Sequence, residues 1–283
     1  MNAFLVDVGG SSCKTSRWVN GTKEWSQVHH WTEAKKSKEE FIHSLIEIEL
    51  KSHRHGKLVV GLPGPVTSEP SVYCPPIAKE IDVASLRNKG CIVVNDVVCQ
   101  MMFLPQEKNC NQALVTVGTS LGLAVRSKEI ERFEFSEEYI RSYEIAHERL
   151  DEWCDRELSE WCPKVLRDDA RLCTIFSAAG FASRWSVDVE RQGYILNARP
   201  DGIRKALRKI RAENAEAEVA KWALSLHKAV NRYLKANNED RGNREVYISG
   251  GLVNALVEFR MANILSKYFH IVGLDSNKEC SDC

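Results

Sequence analysis

Two clusters in the first hundred residues have the side chains for phosphate chemistry. Asp7 follows the apolar run Ala3 to Val6, and after it come Gly9-Gly10-Ser11-Ser12 and Lys14. Adjacent glycines let a turn take φ > 0 and approach a ligand closely, and two hydroxyls beside an ammonium group solvate a phosphate. The Asp7 carboxylate, at the strand tip, is placed to hold a hydrated Mg2+ against that phosphate. The second cluster is Asn95-Asp96, directly after the apolar run Cys91 to Val94. An amide and a carboxylate at the carboxyl end of a strand stand where open α/β sheets bind ligands. Asp96 would act as the base for an attacking hydroxyl, and Asn95 would bond a neighbouring hydroxyl. Each cluster also has a plain structural reading, since Gly-Gly turns are common in hairpins and Asn-Asp commonly caps a helix.

Further motifs follow. Gly61-Leu62-Pro63-Gly64-Pro65-Val66 ends a buried run in a rigid bend from which two prolines remove backbone donors, with Gly64 and Pro65 at its centre. Gly118-Thr119-Ser120-Leu121-Gly122 breaks two apolar runs and offers a second hydroxyl and amide cradle. Glu144 and His147 lie three apart, near enough to hold two hydroxyls of a sugar from one side, or to make an ordinary helical surface pair. Gly250-Gly251 lets an adenine ring lie flat on the backbone between a strand and a helix. Neither GxxxxGK[ST] nor GxGxxG occurs.

The elements that must position these residues are legible as patterns. Strands are expected at Ala3 to Val6, Ser16 to Val19 and Trp25 to His30, the last two joined at Asn20-Gly21. Residues 37–50 read as a helix opened by a Ser37/Glu40 capping box. Strands are expected again at Lys57 to Gly61, Cys91 to Val94, Ala113 to Val117, Leu123 to Val125 and Glu245 to Ser249. Residues 136–162, 167–185, 201–236 and 254–267 read as helical. Arg204, Lys205, Arg208, Lys209 and Arg211 form a basic face without interleaved aromatics, which argues for solvation rather than nucleic-acid binding.

The composition sets outer bounds. With 39 basic and 39 acidic residues among 283, nothing draws the chain onto nucleic acid or membrane. No apolar run approaches the roughly 20 residues of a membrane span. Ten scattered cysteines without an export signal read as reduced thiols, so the expected location is the cytoplasm. Cys280 and Cys283 make an isolated CxxC, read as incidental.

In order, DxGGSxxK, GLPGPV, ND, GTSLG, EIAH and GGL resemble the motifs of bacterial glucokinases and ROK-family sugar kinases, within the actin-like ATPase (hexokinase) superfamily. The resemblance implies an α/β fold of two lobes with duplicated βββαβα units. Residues 1–104 would form a small N-terminal lobe with the first phosphate loop and the catalytic Asp96. Residues 105–283 would form a large lobe with the second phosphate loop, the EIAH segment and the adenosine motif. It further implies an ATP-dependent kinase acting on a hexose or N-acetylhexosamine at the 6-hydroxyl. Sugar ligands would be Asn95, Glu144, His147, Gly64 and Pro65. Nucleotide contacts would come from Asp7 (through hydrated Mg2+), Gly9, Gly10, Ser11, Ser12, Lys14, Gly118, Thr119, Ser120, Gly250 and Gly251. Ser120, Leu123 and Ala146 stand where the family has glycines. Family members commonly carry zinc beside clustered cysteines; here His147, Cys154 and Cys162 supply at most three of four ligands, so no zinc is expected. The partners implied are the sugar and ATP, without nucleic acid or membrane: a repressor of the family would need a helix-turn-helix ahead of the first strand, which here begins at Ala3. The oligomeric state is left open, homodimers being common in the family. A catalytically silent sugar or nucleotide sensor of the same fold is the alternative function.

Overall fold

The computed structural model describes residues 2–9, 12–20, 22–30, 37–52, 56–64, 66, 69–74, 79–102, 104, 110–127, 140–154, 170–185, 189–192, 195–197, 200–239 and 244–272. The described residues of Met1–Leu104 form one compact unit, and those beyond Pro105 form a second.

The first unit opens with an antiparallel meander, β1 (Ala3–Val8), β2 (Ser12–Val19) and β3 (Thr22–His30). Helix α1 (Lys38–Ser52) leads into β4 (Lys57–Leu62), and a short ribbon of β5 (Ser71–Cys74) and β6 (Lys79–Asp82) leads into α2 (Val83–Asn88). β7 (Cys91–Asn95) then runs directly into α3 (Asp96–Met102). The sheet order is β3-β2-β1-β4-β7, with β4 and β7 parallel to β1. Every residue of β1 is buried, as a central strand covered on both faces requires. Phe4, Val6 and Val8 join Leu58, Val60 and Leu62 of β4 in a core that includes Ile42 and Ile46 of α1. With a period of two, Ala3, Leu5 and Asp7 of β1 and Val59 and Gly61 of β4 belong to the opposite face. The capping box of α1 is formed: the Glu40 amide donates to Ser37 Oγ at 3.2 Å and the Ser37 amide to Glu40 Oε2 at 3.1 Å.

The second unit repeats the plan. β8 (Asn111–Val117), β9 (Leu121–Arg126) and β10 (Ile140–Tyr143) form its meander. A 3-10 turn at Ile145–His147 follows, then α4 (Leu150–Trp153), α5 (Leu172–Phe176), α6 (Ala178–Ser183) and a ribbon of β11 (Glu190–Gln192) and β12 (Ile195–Asn197). Helices α7 (Pro200–Ala212) and α8 (Glu216–Ala236) lead to β13 (Arg244–Ser249), α9 (Gly251–Glu258), α10 (Ala262–Leu265) and β14 (His270–Ile271). Sheet order β10-β9-β8-β13-β14 matches that of the first unit position by position. Val219, Trp222, Leu226, Val230 and Tyr233 recur at helical spacing along the buried side of α8. Trp222 is fully buried, with ring centroids of Phe181 and Phe176 at 5.5 and 6.1 Å.

Three helical expectations need correction. Within 136–162, Ile140–Tyr143 is a strand pairing with β9, because cross-strand pairing overrides a charged, helix-favouring composition. The stretch 201–236 is two helices, separated where Asn214 takes φ 51°. The last helix begins at Gly251 and is interrupted beside Arg260, at φ 62°. Among the described residues no helix is long and apolar enough to cross a membrane.

Arg17 of β2 ties the first unit's sheet to α1. Its guanidinium donates to Glu49 Oε2 at 2.6 Å and lies 5.5 Å from the Trp25 ring centroid, while the Glu49 side chain is only 4% exposed. Removing one member of such a pair takes a charge-assisted hydrogen bond from the other, buried, charge. Arg17→Met is therefore expected to destabilise the unit by about 3 kcal/mol in urea unfolding followed by Trp fluorescence. Arg17→Met/Glu49→Met should recover most of that loss; a double variant as weak as the single would show that the charge pairing is not the cause.

Candidate functional site

In the first unit the site is built on the sheet face that α3 covers. Asp7 pairs with Lys14 across the β1–β2 ladder and with Gly61 across the β1–β4 ladder. Gly61 leaves room there: an added Cβ would lie 2.7 Å from Cys99 Cβ, 3.0 Å from its Sγ and 3.2 Å from the Asp96 Cα. α3 thus rests directly on the β4 backbone, and Gln100, one turn after Asp96, reaches Asp7 with Nε2 3.4 Å from Oδ2. Burial pushes the Asp7 carboxyl above its ordinary value, with the Lys14 charge and the Gln100 hydrogen bond opposing that shift. The Cys99 thiol is pushed well up by burial and by the charges of Asp7 and Asp96. Cys13 is pushed up to about 12, again by burial first and then by Asp7. Both thiols are protonated and inert at neutral pH.

Asn95 is buried at the strand end and knits two segments together. Its Nδ2 donates to the Gly64 carbonyl at 2.9 Å, and its Oδ1 accepts from the Val97 amide at 3.0 Å. Asp96 Oδ1 accepts from the same amide at 2.8 Å. The helix-cap reading of Asn95-Asp96 is thus realised together with the strand-end placement. Gly64 takes φ 109°, a conformation that favours glycine.

In the second unit, Gly118 to Ser120 form the β8–β9 turn, with the Gly118 amide donating to the Ser120 carbonyl at 3.0 Å. Thr119 and Ser120 are exposed. Gly250, at φ 113°, lies so close to the end of β8 that a Cβ would collide with the Val117 carbonyl. The β13–α9 turn is therefore pressed against the strand that carries the β8–β9 turn. At Gly118 and Gly251 no described atom lies within 4 Å of where a Cβ would stand, so no internal packing demands a glycine there.

Glu144 and His147 come together: Oε2 and Nε2 are 3.7 Å apart, and both side chains are about half exposed. Between them Ile145 and Ala146 are buried, which fixes the turn while its polar ends face outward. The Arg171 guanidinium donates to the His147 carbonyl at 3.1 Å, and the Leu172 amide donates to the Glu148 carbonyl at 3.0 Å. At the other end the Tyr143 hydroxyl donates to Glu239. Tyr143 is pushed up to about 12 by burial and by that carboxylate.

Gly10, Ser11, Pro65, Cys162 and the Cys280/Cys283 pair lie outside the described residues, as does the side chain of Ser12. Gln100 was not singled out in the sequence; its only signal there is its position four residues after Asp96. Among the described residues no three His, Cys, Asp or Glu side chains cluster as metal ligands. The donor set at Asp7, a single buried carboxylate beside a turn, fits Mg2+, which takes one or two carboxylates and fills its other positions with phosphate oxygens and water.

No protein-family model matches the chain, and no curated protein does. Solved structures do match. A ROK hexokinase from Thermus thermophilus superposes with a TM-score of 0.56 at 16% identity, covering 96% of this chain and 92% of that one. A ROK-family glucokinase from Streptomyces griseus, in complex with glucose and AMPPNP, gives 0.54 at 13% identity over 95% and 88%. A ROK-family transcriptional regulator, homologous to the E. coli MLC protein, gives 0.55 at 15% identity over 95% and 70%. The chain has the fold of the ROK-family sugar kinases. In this ROK-type fold the β1–β2 and β8–β9 turns are equivalent, each joining the first two strands of its sheet.

Burial of Asp7 has a cost that varies with pH. A carboxyl raised above its ordinary 3.8 favours the folded state when protonated, and that contribution is lost as pH rises through the folded value. Asp7→Asn is therefore expected to raise the urea midpoint at pH 7, with the gain shrinking as pH falls toward 3.8. Equal midpoints at pH 7 would mean that the folded protein does not resist ionisation of Asp7.

Proposed function

We propose that the chain is an ATP-dependent sugar kinase that phosphorylates the 6-hydroxyl of a hexose or N-acetylhexosamine. The observation that carries this reading is the arrangement on α3. Asp96 opens the helix at the end of β7, and Gln100, one turn later, holds the buried Asp7 carboxylate. One short helix thereby relates a candidate base to a candidate cation ligand, as phosphoryl transfer to an alcohol demands. The ROK-type fold supports the same reading.

In the first unit, Asp96 accepts the proton of the attacking hydroxyl, and Asn95, Gly64 and Pro65 border the sugar. Gly9, Gly10, Ser11, Ser12 and Lys14 meet phosphate, with Asp7 holding the cation through water. When bound, Mg2+ would offset charge on the transferring phosphoryl group. In the second unit, Glu144 and His147 hold ring hydroxyls, Gly118, Thr119 and Ser120 meet phosphate, and Gly250 and Gly251 lie against adenosine. Cys13, Cys91, Cys99 and Cys173 are free thiols, which suits an ATP-using enzyme of the reducing cytoplasm.

The test is ADP release from Mg·ATP with glucose, mannose, fructose, N-acetylglucosamine and N-acetylmannosamine. Turnover with one of them is expected, and Asp96→Asn should lower it by roughly 10²–10⁴-fold while nucleotide binding persists. Near-normal turnover in that variant would discard Asp96 as the base. A second reading, a sugar or nucleotide sensor, is favoured by the match to a transcriptional regulator of the same fold. Calorimetric sugar binding without turnover across the panel would select it.

A further inference from the structure

Gln100 is the residue of this site for which neither the sequence motifs nor the family resemblance provides a role. It is half-buried on α3, four residues after Asp96, so the two side chains leave the same side of the helix one turn apart. Its Nε2 is 3.4 Å from Asp7 Oδ2. Three features make that approach possible. Gly61, the β4 neighbour of Asp7, lets α3 sit against the sheet backbone, with Cys99 and Asp96 at the point of contact. Asn95 fixes the start of the same helix by accepting from the Val97 amide while donating to the Gly64 carbonyl. Cys99, between Asp96 and Gln100, is buried without exposed surface and locks the rotation of the helix against β4.

From this geometry we propose that Gln100 is a positioning residue: it orients the Asp7 carboxylate for the cation that accompanies the nucleotide, and so couples cation placement to the helix that carries Asp96. The inference rests on the kinase reading of Asp7. The Asp7 carboxylate on β1 has two side-chain torsions, and an amide donor on one of its oxygens narrows the orientations open to it. Partners that orient a ligand in this way commonly influence metal affinity by 10–100-fold.

The experiment measures Mn2+ binding to the protein·ADP complex by electron paramagnetic resonance, together with ADP binding in EDTA. Gln100→Leu and Gln100→Met keep the bulk of the side chain and remove the donor. Both are expected to weaken Mn2+ about ten-fold, with ADP affinity in EDTA unchanged and thermal unfolding close to wild type. Asp7→Asn is the reference and should weaken Mn2+ at least as much. If Asp7→Asn loses Mn2+ while folded Gln100→Met binds it normally, the positioning role is overturned and the kinase reading stands. If Asp7→Asn binds Mn2+ as the wild type does, Asp7 is not the cation ligand, and the inference falls with that assignment.

Discussion

Contact between α3 and the bare backbone of β4 at Gly61 is the constraint that sets where Asp96 and Gln100 stand. A Cβ at Gly61 would stand 2.7 Å from that of Cys99, too near for the helix to keep its place. Moving the helix outward would carry Asp96 and Gln100 with it, since both leave the same short element. Interiors are packed closely enough that such a shift is transmitted rather than absorbed. The glycine is needed here for lack of volume, Gly64 for its positive φ and Gly250 for both reasons.

The two sheets repeat one strand order, and the repetition explains why glycine-bearing turns recur at matching places. In each unit the first and second strands of the meander are joined by a turn rich in small and hydroxyl residues. In the first unit the fourth strand supplies Gly61 for a helix to approach. In the second, Gly250 follows the strand in the same sheet position and presses against the end of β8. The units differ in what the close approach delivers: in one, the side chains of α3; in the other, a backbone turn with open space above Gly118 and Gly251.

Much of this was legible in the sequence, for local reasons. Apolar runs announced β1, β4, β7 and β8, because strands covered on both faces need apolar residues at nearly every position. Ser37 and Glu40 announced α1 through the reciprocal bonds that they form. β10 was not legible: four residues reading IRSY carry little pattern, and their state is set by pairing with β9, distant in sequence. Gln100 was hidden for a related reason. A glutamine on a helix has no meaning until the face of that helix is known, and the face is set by Gly61, 39 residues earlier. Glycine replacement at Ala146 and Ser120 is explained by the structure. Neither is among the described residues with positive φ, and Ala146 places its methyl in the core.

The electrostatics of the first unit run against its packing. Asp7 lies in a strand whose six residues are all buried, and its carboxyl is held above the ordinary range by that burial. An apolar residue there would make a more stable sheet, as the neighbours Val6 and Val8 do on the other face. The opposing contributions are the charge of Lys14, across the β1–β2 ladder, and the amide of Gln100 on α3. Both favour the ionised carboxylate against the cost of its burial. A strained charge of that kind gains most from a bound cation, because the ion supplies the partner that burial has withheld. Ionisation of Asp7 thus costs the folded state stability, and any partner for its charged form would reduce that cost.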